Sequence, residues 1–266
     1  MTSRTIVVTG SASGIGAATS ALFESRGCRV IGVDIDHADV VADLATSSGR
    51  TQLVDAVRNL APGGIDGIVA NADVNRPDSL TIRINYFGAL TTLEGLRPLL
   101  GGPAPRAVLV ASRAAIQPVD EQIVEACISG DEELAVRLAD AHNGPELHAT
   151  SKRAVARWLR RAAVSEEWAG AHIPLNAVAP GSVTTPMIAH RSPEEQATLL
   201  EKRPMPLGGL ASPGEVAQVI GWFLSAENTK VTGQMLFVDG GGEVLLQGED
   251  LWGRATGSTE QEAIPV

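Results

Sequence analysis

The chain has 266 residues, 44% of them hydrophobic, and a formal net charge of −10 from 21 Lys+Arg against 31 Asp+Glu. At ~150 residues per domain this suits one large α/β domain with a sizeable core. The negative balance repels a polyphosphate backbone and 3% aromatic residues cannot build a base-stacking platform, so no nucleic-acid partner is expected.

Met1 leads almost directly into the strand-like run Thr5 to Thr9, with no basic leader and apolar stretch before it. Thr9-Gly10-Ser11-Ala12-Ser13-Gly14-Ile15-Gly16 comes next and opens a helix through Ala17, Ala18, Ala21 and Leu22. Glycines between a strand and a helix let the backbone turn tightly and approach a pyrophosphate, whose charge the helix N-terminus meets. Gly10, Ser13, Gly14, Ile15 and Gly16 are therefore candidate cofactor contacts. The second strand, Val30 to Asp34, ends on an acid placed to bond ribose hydroxyls and repel a 2′-phosphate, which favours NAD over NADP. Asp43 and Leu44 are candidates for the adenine side.

Further strands are expected at Ile65 to Asn71, Ala107 to Ser112, Ile173 to Val178 and Gln234 to Val238. Being near-continuous apolar runs alternating with helical patterns, they predict a buried parallel sheet. The stretch 114–147 is too long for a simple loop. Its apolar face Ile123, Val124, Cys127 and Ile128, then the cap at Ser129-Gly130-Asp131-Glu132, predict an inserted helical hairpin. Ser192-Pro193-Glu194-Glu195 and Ser212-Pro213-Gly214-Glu215 each read as a capping box with proline in the first turn. Met187, Ile188, Leu199 and Leu200, in a loop expected to close over substrate, suit an apolar ring system. One domain is expected over 1–242, with an arm over 243–266 that shows no periodicity. Two cysteines, Cys28 and Cys127, cannot make a disulfide framework, and no ~18-residue apolar run can cross a membrane; a cytoplasmic protein without membrane or metal partners is expected.

Over 4–242 the chain resembles the short-chain dehydrogenase/reductase family. The motifs are TGSASGIG at 9–16, NAD at 71–73 where the family has NAG, INYFG at 84–88, VASRA at 110–114, HATSK at 148–152 where the family has YxxxK, NAVAPGSVTTP at 176–186 and FVDGG at 237–241. Within the family it is most similar to the bacterial 3α-hydroxysteroid dehydrogenase/carbonyl reductase branch. The resemblance implies a Rossmann-like, doubly wound α/β domain, NAD as cofactor, a small apolar alcohol or ketone as substrate, and a homodimer.

It also places the catalytic set on Asn85, Ser112, His148 and Lys152, and cofactor contacts on Asn71, Ala72, Asp73, Lys152, Pro180, Gly181, Val183 and Thr185. Two positions depart from the family. His148 stands where a tyrosine passes the substrate proton, and the single tyrosine, Tyr86, reads as a packing residue. A neutral imidazole can act as a base, but it reaches roughly 2 Å less far than a phenol, and Lys152 opposes its protonated form. Asp73 replaces a glycine on the expected adenosine side, where a carboxylate weakens dinucleotide binding unless Arg76 or Arg113 neutralises it. The expected function is interconversion of a secondary alcohol and a ketone, impaired or modified at these two positions. A non-redox enzyme such as an isomerase, lyase or hydratase, or a binding pseudoenzyme, is the alternative.

Overall fold

The computed structural model describes residues 4–142, 144–185, 188 and 192–248. Seven strands, β1 (Thr5–Thr9), β2 (Arg29–Asp34), β3 (Val40–Val41), β4 (Gly67–Ala70), β5 (Arg106–Val110), β6 (Leu175–Pro180) and β7 (Met235–Val238), form one sheet in the order β3-β2-β1-β4-β5-β6-β7. Every neighbouring pair is parallel. Parallel neighbours need crossovers, and except between β2 and β3 helices fill them: α1 (Gly14–Ser25), α2 (Ser47–Leu60), α3 (Leu80–Ile82), α4 (Ala89–Leu96), α5 (Glu121–Ile128), α6 (Glu132–Ala141), α7 (Leu147–Ala162), α8 (Pro193–Lys202) and α9 (Pro213–Phe223), with α10 (Gly242–Gln247) following β7. A π-helical stretch, Arg83–Gly88, joins α3 to α4.

Strand side chains alternate between two buried layers. Ile6 and Val8 pack with Phe23 of α1 and Val216, Ile220 and Phe223 of α9. Val7 faces the opposite layer with Leu53 of α2, Leu93 of α4 and Val155 and Leu159 of α7. Covering both faces explains the near-continuous apolar strands and confirms the expected doubly wound α/β architecture. Strand bounds shift slightly from the expected ones. β6 runs on to Pro180, which pairs with Val238; a proline has no N–H for a ladder and so reads in sequence as an end. β3 has only two residues, too few to show a period.

Local caps work as the sequence predicts. Ser212 Oγ accepts from the Glu215 N–H at 3.2 Å while the Glu215 carboxylate accepts from the Ser212 N–H at 2.6 Å, and Ser192 with Glu195 repeats the arrangement on α8. The insertion is a helical hairpin. Asp120 caps α5 and Asp131 caps α6, and Ile123, Val124 and Cys127 join the core beside Ala135 and Ala139. Arg50 of α2 pins α6 by pairing with Glu132 at 2.6 Å. Residues 242–247 of the chain's end are helical, and the expected arm beyond 248 lies outside the described residues.

Close approach at the first crossover fixes how near α1 comes to the sheet. Gly10 (φ 67°) turns the chain after β1, and a Cβ on Gly16 would stand 1.9 Å from the Gly10 carbonyl oxygen and 2.7 Å from Asn71 Nδ2. Only glycine at 16 lets the helix lie this close to the strand ends. Gly16→Ala is expected to destabilise the protein by about 1–3 kcal/mol. In urea unfolding this appears as a lower midpoint at unchanged m-value.

Candidate active site

The ends of β1, β2, β4, β5 and β6 open on one cleft of about 950 Å³, which Gly10, Asp34, Asn71, Val110 and Pro180 all line. It lies where strand order reverses between β1 and β4, the usual binding crevice of such sheets. At one end, Ser13 enters α1 in extended conformation without a side-chain cap, so its own hydroxyl does not occupy the helix's first N–H groups. Ser13, Gly14 and Ile15 line the wall there. Asp34 Oδ2 accepts from the Ala12 N–H at 2.9 Å and Oδ1 from the Ile35 N–H at 2.7 Å, leaving one lone pair on each oxygen. Asp43, held by the Ala45 N–H at 2.9 Å, and Leu44 line the cleft beyond it.

Thr9 is a contributor that sequence reading missed. Its Oγ1 accepts from the N–H groups of Asn71 (3.0 Å) and Ala72 (3.1 Å), while Asn71 Nδ2 donates to the Thr9 carbonyl at 2.9 Å. These bonds join the ends of β1 and β4. Thr9 opens the TGSASGIG motif, but nothing in the sequence shows which backbone groups, 62 and 63 residues away, its hydroxyl meets.

At the other end, beyond β5 and β6, Ser112 and the segment with Pro180, Gly181, Val183 and Thr185 line the cleft together with His148. Ser112 lies just beyond β5 and its Oγ accepts from the Ala114 N–H at 3.1 Å. Asn85 sits in the π-helical stretch and is buried. Its Oδ1 accepts from the Val74 N–H, and its Nδ2 donates to the Val74 carbonyl, both at 2.9 Å, and to Ser151 Oγ at 3.1 Å. Gly16, Asn85 and Lys152 stand behind the lining. Val74, Leu80, Ile84, Pro118 and Pro145 add an apolar wall that sequence reading did not single out. From the expected closing loop, Ile188 reaches the cleft, Leu199 and Leu200 are half-buried outside it, and Met187 lies outside the described residues.

Asp73 departs from its expected surroundings. Its carboxylate lines the cleft but is neutralised by neither Arg76, which pairs with Asp78 at 3.3 Å, nor Arg113, which is 3.8 Å from Asp239. Instead Oδ1 lies 3.0 Å from Lys152 Nζ and Oδ2 lies 3.1 Å from His148 Nε2. The physical reason is local: Asn85 holds both backbone groups of Val74, fixing the chain where it leaves Asp73, and α7 presents His148 and Lys152 one turn apart. Lys152, with 2% of its side-chain surface exposed, also donates to the Val110 carbonyl at 3.0 Å. The opposition expected between Lys152 and a protonated His148 is thus met by a shared carboxylate. Burial pushes the Asp73 carboxyl up, but Lys152 and His148 together outweigh it and hold it down at about 2. Tyr86 packs edge-on to Phe87 at 5.0 Å in the core, where burial raises its phenol, so it serves no role in the cleft.

A carboxyl that drops from 3.8 to about 2 on folding contributes stability that is fully present above the unfolded value and lost as pH falls toward the folded one. The shift corresponds to about 2 kcal/mol. Asp73→Asn is therefore expected to cost stability at pH 6 and progressively less between pH 4 and pH 2, measured by urea unfolding of both proteins across that range.

Residues 134–243 match the family model described as Enoyl-(Acyl carrier protein) reductase. The chain is 32% identical over 252 residues to the 3-alpha-hydroxysteroid dehydrogenase/carbonyl reductase of Comamonas testosteroni, covering 91% of this chain and 97% of that protein. It is 34% identical to the cis-4-hydroxycyclohexanecarboxylate dehydrogenase of Sinomonas cyclohexanicum, over 90% and 96% of the two chains. Among solved structures, the 3-alpha-hydroxysteroid dehydrogenase of Pseudomonas sp. B-0831 complexed with NADH superposes with a TM-score of 0.85 at 39% identity, covering 92% of this chain and 99% of that one. Similarity of this extent means that the chain belongs to the short-chain dehydrogenase/reductase family of oxidoreductases.

Proposed function

We propose that the chain uses NAD(H) to interconvert a secondary alcohol and a ketone on a steroid or other alicyclic frame. The observation that carries this reading is one continuous cleft with a dinucleotide cradle at one end and Ser112 and His148 among apolar walls at the other. The cradle fits the cofactor on the chain's own geometry: a glycine turn at Gly10 (φ 67°) leading to an α1 N-terminus without a side-chain cap, and an Asp34 carboxylate with lone pairs to spare for a ribose diol. Bound NAD⁺ supplies the hydride acceptor. The relatives named for hydroxysteroid and hydroxycyclohexane substrates support the alicyclic class.

In this reading Ser112 Oγ holds the substrate oxygen and His148 takes the hydroxyl proton during oxidation and returns it during reduction. Imidazole is shorter than phenol, so the substrate oxygen lies closer to α7 or is reached through one water. Lys152 and Asp73 stand behind the ring as a neutralised pair, and Asn85 keeps Asp73 in place through Val74. Asp43, Leu44, Asn71, Ala72, Pro180, Gly181, Val183 and Thr185 form the remaining cofactor walls. The reading includes a homodimer acting in the cytoplasm; exposed Trp222, Leu236 and Leu245 and two free cysteines are consistent with it. The pairing of His148 with a carboxylate also favours a second reading, proton transfer without hydride transfer, which predicts turnover that is indifferent to added NAD.

Calorimetry is expected to show tighter binding of NAD than of NADP, and Asp34→Ser to narrow that preference by about tenfold or more, since ~1.4 kcal/mol of lost 2′-phosphate repulsion is tenfold. A wild-type preference for NADP overturns the assignment of Asp34. Restoring the family's tyrosine tests the reaction. With Asp73 still claiming Lys152, His148→Tyr alone leaves the phenol beside a carboxylate, whereas His148→Tyr combined with Asp73→Gly frees Lys152 to favour the phenolate. The double variant is expected to oxidise cyclic alcohols on the order of ten-fold or more faster than the single one at pH 8. Equal rates would show that Asp73 does not govern that position.

A further inference from the structure

Three groups meet at the cleft from distant parts of the chain: Asp73 after β4, and His148 and Lys152 from successive turns of α7. Resting on the oxidoreductase reading above, we propose that Asp73 is a positioning residue that keeps the proton of His148 on Nε2, so that Nδ1 is the nitrogen that exchanges the substrate's hydroxyl proton.

Hydrogen-bond roles at the two ring nitrogens decide which of them is free. A carboxyl held as low as Asp73's is ionised at neutral pH and can only accept. The atom facing its Oδ2 at 3.1 Å is Nε2, which must then carry a hydrogen whether the ring is neutral or protonated. In the neutral ring Nδ1 keeps the lone pair, and among the described residues it has no hydrogen-bond partner. The other charged groups nearby do not compete. Lys152 is engaged by Asp73 Oδ1 and the Val110 carbonyl, and Glu146, which precedes α7, is engaged by His142 Nε2 at 3.0 Å. Asp73 thus does two things with its two oxygens: one neutralises a buried ammonium, the other selects a tautomer. Bound NAD⁺ would accept the alcohol's C–H hydride as the C=O bond forms, while His148 takes the O–H proton on Nδ1 and, as imidazolium, gives that Nδ1 proton to water. Reduction runs the same transfers backwards.

A substituted amide makes the role testable, because its two ends are not equivalent. In Asp73→Asn, the Lys152 ammonium attracts the amide oxygen, so the amide NH₂ faces His148 and donates to Nε2. The ring is then driven to carry its hydrogen on Nδ1, and the lone pair that takes the substrate proton is lost. Two-bond ¹H–¹⁵N correlation spectra of histidine-labelled protein without cofactor, with the His148 signals identified by their loss in His148→Gln, read the tautomer directly. The expected result is Nε2–H in the wild type and Nδ1–H in Asp73→Asn. With NAD and a cyclic alcohol, the same variant is expected to lose on the order of 10²–10⁴ in kcat, with KM and NAD affinity changed far less.

A wild-type ring protonated on Nδ1, or an unchanged Nε2–H tautomer in a folded Asp73→Asn protein, overturns the proposal. If Asp73→Asn does not fold, the wild-type spectrum alone still decides the first point, and Asp73→Glu, which keeps an acceptor, is expected to retain Nε2–H. Wild-type protein that shows the expected tautomer but no NAD-dependent alcohol oxidation overturns the oxidoreductase reading and the proton route, leaving only the tautomer assignment. Activity with the opposite tautomer overturns the positioning role and leaves the oxidoreductase reading standing.

Discussion

A lysine ammonium with 2% of its side-chain surface exposed is the constraint on which the cleft's chemistry turns. Such a charge loses several kcal/mol of hydration on burial and is tolerated only when paired and hydrogen-bonded. The Val110 carbonyl satisfies one donor, but the balancing charge comes from Asp73. That pairing places a carboxylate where the second oxygen meets His148. The histidine's hydrogen-bonding state is thereby tied to a group whose first task is to keep a buried cation neutral.

The fold brings these groups together through parallel pairing. All seven strands point the same way, so every strand-to-helix turn emerges at one edge, and residues from 10 to 203 line a single cleft. Precision comes from backbone groups gripped by side chains near that edge. Thr9 ties β4 to β1, and Asn85 takes both polar backbone groups of Val74. The chain carrying Asn85 is locally π-helical, an irregularity frequent where a helix serves a functional site. The helical hairpin of α5 and α6 packs beside α7 and, through Glu132, is anchored to Arg50 and Arg83. The hairpin thus backs the helix that carries His148 and Lys152.

Features whose physics is local were readable in the sequence. The glycine turn, the two Ser-to-Glu capping boxes, the hairpin inside 114–147 and the alternation of strands with helices depend on neighbours a few residues apart, and periodicity or spacing records such neighbours. Tyr86 as a packing residue is legible from its place after Asn85 at the beginning of a helix. Features without a repeat were not readable: β3 offers two residues, β6 continues through a proline, and Thr9 stitches β1 to β4 with one hydroxyl.

The sequence by itself determined the fold class and the family, and that an imidazole stands at 148 and a carboxylate at 73. It also determined that His148 and Lys152 lie one helical turn apart, because four residues of helix fix that spacing. Only the tertiary structure decided what Asp73 faces. Seventy-five residues separate it from His148, and no local pattern encodes the direction of a side chain across such a gap. That direction is set by where β4 ends, how Asn85 grips Val74 and how α7 packs beside them. A carboxylate read in sequence as a burden on the adenosine side is in the folded protein the counter-charge of Lys152 and the hydrogen-bond partner of His148, because burial of the lysine leaves it no other neutralising partner among the described residues.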